Sequence, residues 1–203
     1  NEQMDKLLIG TQIEYIYRRS YKAVYYLFDL KEKKLSLLSD TSLGKQSFAT
    51  FSPDGKKIAF VRENNLFVKD LESGTESTLT TDGQFRHIIN GMADWVYEEE
   101  LDMSRAFWWS PDSRHIAFLR FDESRVKEFN MIMYGGLYPE EYRYKYPKAG
   151  EDNSLVTVHL YDVAAGSMKT IDMGDNSDCY IPRLYWLPDA GNLVILKMNG
   201  LTL

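Results

Sequence analysis

The sequence repeats one short pattern, an aromatic residue followed by a proline-aspartate turn and a strand-like run. Phe51-Ser52-Pro53-Asp54-Gly55 leads into Lys57 to Arg62, and Trp109-Ser110-Pro111-Asp112-Ser113 leads into His115 to Phe118. Trp186-Leu187-Pro188-Asp189 begins the pattern a third time. Proline fixes φ, aspartate forms an Asx hydrogen bond and the next residue tolerates a positive φ, so each copy predicts a tight turn between two strands.

The spacing of these turns indicates a β-propeller with insertions. Ser47 to Thr80 reads as four short strands joined by tight turns, which is one antiparallel blade. Pro53, Pro111 and Pro188 lie 58 and 77 residues apart, whereas blades repeat every ~40 to 50 residues. The excess predicts two inserts, an acidic segment within Asn90 to Met103 and a tyrosine-rich segment from Glu123 to Asp152.

We therefore expect an all-β fold. Residues 1–203 are predicted to form an incomplete N-terminal β-propeller of four-stranded antiparallel blades, about four to five units, with a short acidic helical insert and a tyrosine-rich arm. Asn1 to Gly10 is expected to be a helical or irregular lead-in. The other predicted strands are Gln12 to Tyr17, Tyr21 to Leu30, Lys34 to Leu38, Leu155 to Tyr161, Met168 to Ile171, Tyr180 to Leu187 and Asn192 to Met198. A chain that opens at Asn1 without methionine and stops in a strand-like run is expected to be a fragment.

Composition excludes several classes of function. The aromatic share of 14% favours strands, and a net charge of −6 without a long Lys/Arg cluster argues against nucleic-acid binding. Cys179 is the single cysteine, which excludes an internal disulfide, and we expect it to be buried as a small apolar residue. No apolar run approaches the ~20 residues of a membrane span.

The sequence predicts no metal and no cofactor. It contains no His-Glu-x-x-His motif, no cysteine pair and no Gly-rich phosphate loop. Asp172, Asp175 and Asp178 lack the glycine and the terminal glutamate of a calcium loop. The three histidines, His87, His115 and His159, lie in strand-like segments and are expected to be packed or surface residues.

The acidic insert has two interpretations. Glu98, Glu99 and Glu100 form a charge run, and such runs are usually solvated, here as the first turn of a helix capped by Asp94. Alternatively, neighbouring glutamates that converge on one point offer the acceptors that a primary ammonium, with its three donors, requires.

Three motifs in order resemble the propeller domain of dipeptidyl peptidase IV, a family in the prolyl oligopeptidase class of serine peptidases. They are Asp94-Trp95-Val96-Tyr97-Glu98-Glu99-Glu100, Phe107-Trp108-Trp109-Ser110-Pro111 and Tyr146-Pro147-Lys148-Ala149-Gly150. The resemblance extends from the Phe51 turn to the end of the chain. It implies a propeller that recognises peptides with a free N-terminus.

The resemblance also assigns roles to individual residues. It implies that Glu99 and Glu100 hold the substrate's N-terminal ammonium and that N-terminal dipeptides with proline or alanine in second position are released. Glu98 is assigned to the scaffold, and Trp95 and Tyr97 are expected to pack the acidic helix onto its blade.

The catalytic residues are expected outside this chain. No Gly-x-Ser-x-Gly elbow is present, so the resemblance implies that Ser, Asp and His reside in an α/β-hydrolase domain elsewhere in the parent chain. This chain alone is therefore expected to be inactive. The family resemblance further implies an extracytoplasmic location.

The tyrosine-rich segment keeps two alternatives open. It is either a hairpin that packs its rings on its own blade or, as the resemblance implies, an arm over residues 123–152 that forms a homodimer.

The sequence also departs from the family, which has a substrate-binding arginine before the strand corresponding to Ser47 to Phe51. Only Asp40 to Lys45 precede that strand here, with Lys45 as a weak substitute. A tripeptidyl-releasing relative and a non-catalytic, protein-binding propeller therefore remain alternatives.

Overall fold

The computed structural model describes residues 1, 3, 5–188 and 191–199. Its first sheet is antiparallel, in the order β1 (Lys6–Tyr15), β2 (Tyr21–Asp29) and β3 (Lys34–Leu37). The prediction of an irregular lead-in over Asn1 to Gly10 is wrong from Lys6 onward. Lys6 pairs with Asp29 and Gly10 pairs with Tyr25, so this segment is held by the ladder of β2.

The second sheet is the four-stranded blade that the repeated turn predicts. A 3₁₀ turn at Thr41–Leu43 precedes it, and its strands pair in sequence order. They are β4 (Ser47–Phe51), β5 (Lys57–Arg62), β6 (Asn65–Asp70) and β7 (Glu76–Thr78).

The third sheet contains both insertions. Two short strands, β8 (Ile88–Asn90) and β9 (Phe107–Trp109), pair with different parts of the same edge of β10 (His115–Asp122). The acidic segment, which carries helix α1 (Trp95–Glu99), leaves the sheet between β8 and β9. On the other side of β10, β13 (Leu155–Asp162) and β14 (Ser167–Thr170) complete the sheet.

Two further strand pairs are separate from these sheets. The hairpin of β11 (Glu128–Met133) and β12 (Glu140–Lys145) leaves the third blade between β10 and β13, within the predicted arm. At the end of the described chain, β15 (Cys179–Trp186) pairs with β16 (Leu193–Asn199). The chain is thus an all-β, partial propeller with a helical insert and an arm.

The repeated turns have the same hydrogen bonds. The Oγ atoms of Ser52 and Ser110 each donate to the aspartate two residues later, at 2.6 Å, and each accept from the backbone N–H five residues later. Gly55 and Ser113 occupy the positive-φ position. The Ser113 hydroxyl also accepts from the Asp54 N–H at 3.0 Å, so the two turns contact each other. The third copy reaches Pro188, and its Asp189 lies outside the described residues.

The main core lies between the second and third blades and β15. Its fully buried members include Phe107, Phe118, Phe121 and Ile181. Cys179 is buried, as predicted, and His159 stacks on Phe118. Residues of β4, β9 and β15 line a cleft of about 1160 Å³. None of the helices in the described ranges is long and apolar enough to cross a membrane.

Candidate substrate-binding site

Helix α1 begins at a buried cap. The Asp94 carboxylate accepts a hydrogen bond from the Tyr97 N–H at 2.9 Å, and its other oxygen accepts from the Ser154 hydroxyl at 2.6 Å. Asp94 thus caps the helix, as its position in the sequence predicts. Because Ser154 directly precedes β13, this cap also ties the acidic segment to its own blade.

Glu98 is buried, which contradicts a solvated triplet. Its Oε1 accepts hydrogen bonds from the N–H groups of Arg19, at 2.6 Å, and Ser20, at 3.0 Å. These residues form the turn between β1 and β2. The charge run is therefore not a uniformly solvated face, because its first member joins two different sheets.

Glu99 is half-buried and faces an arginine from the same turn. Its Oε2 lies 3.3 Å from Nε of Arg18, whose side chain is 72% exposed. The guanidinium therefore pairs with Glu99 while keeping donors accessible at the surface. Neighbouring Arg19 contacts the Asp102 carboxylate and the Glu98 carbonyl.

Glu100 is exposed at the end of α1. Its N–H donates to the Val96 carbonyl at 2.9 Å, whereas its carboxylate has no hydrogen bond or ion pair within the part of the chain that the structure describes. Glu99 and Glu100 are thus adjacent carboxylates of different kinds. One is oriented by an arginine and the other is open to a ligand.

Trp95 and Tyr97 hold the helix from two sides. Tyr97 is buried, accepts a hydrogen bond from the Ile181 N–H at 2.8 Å and meets Phe121 edge-on at 4.9 Å. Trp95 instead packs against Tyr146, with ring centroids 4.6 Å apart. Tyr97 therefore fixes α1 to the blades, and Trp95 fixes it to the segment that follows the hairpin.

Buried titratable groups interact with one another at the start of the helix, where Asp94 is the cap. Burial raises the pKa of Asp94, and burial together with the Asp94 charge raises the pKa of Glu123 to about 8. Burial and the same two carboxyls also raise the pKa of the Tyr17 hydroxyl. Because Asp94, Glu123 and Tyr17 are shielded from solvent, their titration depends on folding, and their polar groups are not available to a ligand at the surface.

The hairpin divides its tyrosines between two environments. Tyr144 is buried between Tyr17 and Trp95, and Tyr142 donates from its hydroxyl to the Ile16 carbonyl at 2.8 Å. Tyr134 and Tyr138 at the tip are exposed. The inner rings thus pack on the acidic helix and the β1–β2 turn, while the tip remains at the surface.

The interpretation of Lys45 as the basic group of the site is not supported by its contacts. Its Nζ donates to the Gln12 carbonyl and to the Glu14 carboxylate, both at 2.7 Å. Both acceptors lie in β1, so Lys45 binds to that strand. Arg18 is the cation that contacts Glu99, and sequence reasoning missed it. The available signal was the Arg18-Arg19 pair between two predicted strands.

Comparison with known proteins identifies the family. A sequence profile described as "Dipeptidyl peptidase IV (DPP IV) N-terminal region" matches residues 1–199. The chain belongs to this family.

Named relatives agree with this assignment. The chain is 36% identical to a "Probable dipeptidyl peptidase 4" of Aspergillus clavatus, with 96% of this chain and 26% of the relative covered. It is 33% identical to "Dipeptidyl aminopeptidase A" of Saccharomyces cerevisiae, with 98% and 23% covered. The chain therefore spans about a quarter of the length of these dipeptidyl peptidases.

Solved structures share the fold. The crystal structure of Porphyromonas gingivalis dipeptidyl peptidase 4 superposes with a TM-score of 0.90 at 45% identity, covering 96% of this chain and 28% of that one. A putative dipeptidyl aminopeptidase IV from Bacteroides ovatus gives a TM-score of 0.67 at 22% identity, with 92% and 26% covered, which is a likeness of fold alone.

Proposed function

We propose that this chain is the substrate-recognition propeller of a serine exopeptidase, and that Glu99 and Glu100 hold the N-terminal ammonium of a peptide. The observation that carries the proposal is the adjacent pair of carboxylates at the end of α1, with Arg18 against Glu99 and Glu100 unpaired within the described residues. Two carboxylates and one guanidinium leave one negative charge, which an ammonium neutralises.

The anchor distinguishes free from blocked N-termini. An ammonium has three donors and makes charge-assisted hydrogen bonds to carboxylates. An acetylated terminus carries no charge and a single N–H, so it would displace water from the carboxylates without replacing those bonds. An anchor of this kind fixes the distance from the N-terminus to the bond that is cleaved, and so restricts cleavage to a short N-terminal unit.

In this proposal, Arg18 of the β1–β2 turn has the substrate-binding role of the propeller arginine that the family resemblance implies. Its guanidinium presents planar, rigid donors beside the ammonium anchor, which suits a backbone carbonyl of the bound peptide. In this proposal, Glu98 holds the β1–β2 turn through two backbone N–H groups and so sets the position of Arg18.

The remaining functions belong to the intact protein. We propose that an α/β-hydrolase domain elsewhere in the parent chain supplies Ser, Asp and His, and that dipeptides with proline or alanine second are released. The arm over residues 123–152, with its exposed tip, is the proposed homodimer contact, and the location is extracytoplasmic. These statements rest on family membership.

Product analysis tests the proposal. The intact protein is incubated with a peptide that begins Gly-Pro-Ala, in free and N-acetylated forms, and the products are identified by mass spectrometry. Release of Gly-Pro from the free peptide alone supports the proposal. Release of a tripeptide favours the tripeptidyl alternative, and no cleavage of either peptide favours a non-catalytic binding propeller.

A further inference from the structure

Two arginines, Arg105 and Arg183, line the cleft of about 1160 Å³ between β4, β9 and β15, and neither has a carboxylate partner within the described ranges. The other eight of the ten arginines each form an ion pair with an aspartate or a glutamate. The lining contains one acidic side chain, Asp102, and this carboxylate pairs with Arg19. The chain has a net charge of −6, so the cleft is a local region of positive charge.

Arg105 is held in place by uncharged groups. Its Nη1 donates to the Thr50 hydroxyl at 3.1 Å, and its guanidinium lies 5.6 Å from the centroid of the Phe107 ring. Burial lowers the pKa of Arg105, because water solvates the charge incompletely, although a guanidinium remains charged at neutral pH. A half-buried cation is costly unless it is paired. Four of its five N–H donors are not used by the bond to Thr50, so Arg105 is suited to an anionic ligand.

Arg183 joins the cleft to the acidic segment. Its Nη1 donates to the Leu101 carbonyl at 2.5 Å and to the Pro182 carbonyl at 2.6 Å. Leu101 directly follows Glu100, so Arg183 lies next to the end of the proposed ammonium anchor. Arg105 lies five residues after Glu100, and this length of chain spans at most about 18 Å. An extended peptide that begins at the anchor covers the same distance in about six residues.

The walls of the cleft are aromatic and fixed by hydrogen bonds between strands. The indole N–H of Trp109 donates to the Thr50 carbonyl at 3.3 Å, and that of Trp186 donates to the Trp108 carbonyl at 3.2 Å. These bonds connect β4, β9 and β15 and hold the lining in place without a ligand. The volume exceeds the ~300–1,000 Å³ of typical small-molecule sites. The cleft therefore suits a segment of peptide.

We infer that this cleft binds an acidic side chain of the substrate on the C-terminal side of the scissile bond, with Arg105 and Arg183 as the groups that recognise its carboxylate. The inference rests on the proposed function, since the ammonium anchor determines where the peptide begins. Hydrogen bonds from arginine to a carboxylate are charge-assisted and can be bidentate. The reach from Glu100 to Arg105 places the acidic residue at about the fourth to sixth position of the peptide.

Amidated hexapeptides that begin Gly-Pro test the inference on the intact protein. A single glutamate is placed at the fourth, fifth or sixth position of an otherwise alanine sequence, and each peptide is compared with its glutamine isostere. We expect kcat/KM to be roughly tenfold higher for glutamate than for glutamine at one or more of these positions, which is the effect of one charged hydrogen bond. Arg105→Gln is expected to reduce this ratio to about two or less. Arg105→Lys should retain part of it, because lysine keeps the charge without the planar fork.

The matched control is Arg114→Gln, which makes the same change in net charge at an arginine outside the cleft. It is expected to keep the wild-type ratio. Cleavage of Gly-Pro-anilide, which is too short to reach Arg105, reports whether each variant is folded. The wild type provides a second measurement that needs no variant. Raising NaCl from about 0.05 M to about 0.5 M should lower the ratio, because salt screens the attraction in an open cleft.

Four results would overturn the inference. A wild-type ratio near one at all three positions, with Gly-Pro-anilide cleaved and its N-acetyl form resistant, overturns it and leaves the ammonium anchor in place. A ratio that persists in Arg105→Gln, or falls equally in Arg114→Gln, shows that the carboxylate is bound elsewhere. A wild-type ratio that salt does not change also contradicts the two arginines as its cause. No cleavage of Gly-Pro-anilide by the wild type, or equal cleavage of its N-acetyl form, overturns the proposed function and this inference with it.

Discussion

Arg18, in the turn between β1 and β2, meets Glu99 of helix α1 with 3.3 Å between Nε and Oε2. The contact joins the β1–β2 turn to helix α1 at the point where we propose that a peptide N-terminus binds. A second contact between the same two segments is made by Glu98, whose Oε1 accepts hydrogen bonds from the Arg19 and Ser20 N–H groups. Two contacts between distant segments thus set the geometry of the proposed anchor.

Replacing Arg18 tests whether this guanidinium binds the substrate. The ion pair, in which Arg18 is solvent-exposed, is worth about 1 kcal/mol, whereas a hydrogen bond from Arg18 to the bound peptide would contribute about 1.5–3 kcal/mol. We therefore expect Arg18→Ala to lower kcat/KM for Gly-Pro-anilide by about 10- to 100-fold. Arg18→Lys is expected to recover only part of the activity, because it lacks the planar fork.

The matched control for Arg18 is Arg114→Ala. Arg114 is comparably exposed and pairs with Asp112 at a turn of the third blade, so its loss is expected to leave the kinetics unchanged. A lower KM in Arg18→Ala would show that Arg18 competes with the substrate for Glu99.

Glu98 is expected to stabilise the fold and the anchor together. Glu98→Ala leaves the part-buried Arg19 N–H and the buried Ser20 N–H without their acceptor, so we expect a loss of about 2 kcal/mol of folding stability. Glu98→Gln keeps an acceptor at Oε1 and is expected to cost less. Thermal unfolding of the intact variants measures the difference. Equal destabilisation by Ala and Gln would show that the charge, and not the acceptor, is what matters.

The raised pKa of Glu123 predicts a pH-dependent stability. The folded state keeps this carboxyl protonated up to about pH 8, whereas the unfolded chain releases the proton near its ordinary value of 4.5. Between these values the folded state binds more protons, so stability falls as pH rises. The contribution is fully favourable below pH 4.5 and is lost as pH passes 8.

Glu123→Gln is expected to flatten this dependence. Asp94, Asp122 and Lys145 are the other charged groups that act on Glu123, and they remain in the variant. The unfolding temperature measured from pH 5 to pH 9 should therefore fall by less in Glu123→Gln than in the wild type. The surface variant Glu72→Gln should follow the wild type. Parallel curves for all three proteins would contradict a buried, protonated Glu123.

The tip of the hairpin is the part of the arm to alter when dimerisation is tested. Leu137 is 99% exposed, and Tyr134 and Tyr138 are also exposed. Removing the whole hairpin would also remove Tyr144 from its contact with Trp95. We expect Tyr134→Ser/Leu137→Ser/Tyr138→Ser to shift the intact protein from dimer toward monomer in sedimentation velocity, with α1 undisturbed. An unchanged dimer would show that the tip is not the interface.

Local patterns predicted the features that depend on neighbouring residues. The Ser-Pro-Asp turns, the four-stranded blade, the hairpin and the Asp94 cap each arise from chemistry within a few positions of the chain. The start of β1 at Lys6 could not be predicted in this way, because it depends on pairing with Asp29.

The environment of the acidic triplet also depends on distant segments. Three consecutive glutamates predict that all three carboxylates are solvated. Glu98 is buried instead, because two N–H groups of the β1–β2 turn donate to its carboxylate. The pairing of Arg18 with Glu99 has the same origin. For this reason the sequence indicated which carboxylates to consider, whereas their partners required the structure.

The most direct test of the ammonium anchor is the steady-state kcat/KM of the intact protein on Gly-Pro-anilide and its N-acetyl form, in the wild type and in Glu99→Gln/Glu100→Gln. The account predicts that acetylation and the double substitution each lower kcat/KM by at least about a hundredfold, since each removes two charge-assisted hydrogen bonds. A small ester that reacts directly with the catalytic serine should be affected far less. Similar cleavage of the free and acetylated substrates, or full activity in the double variant, would contradict the anchor.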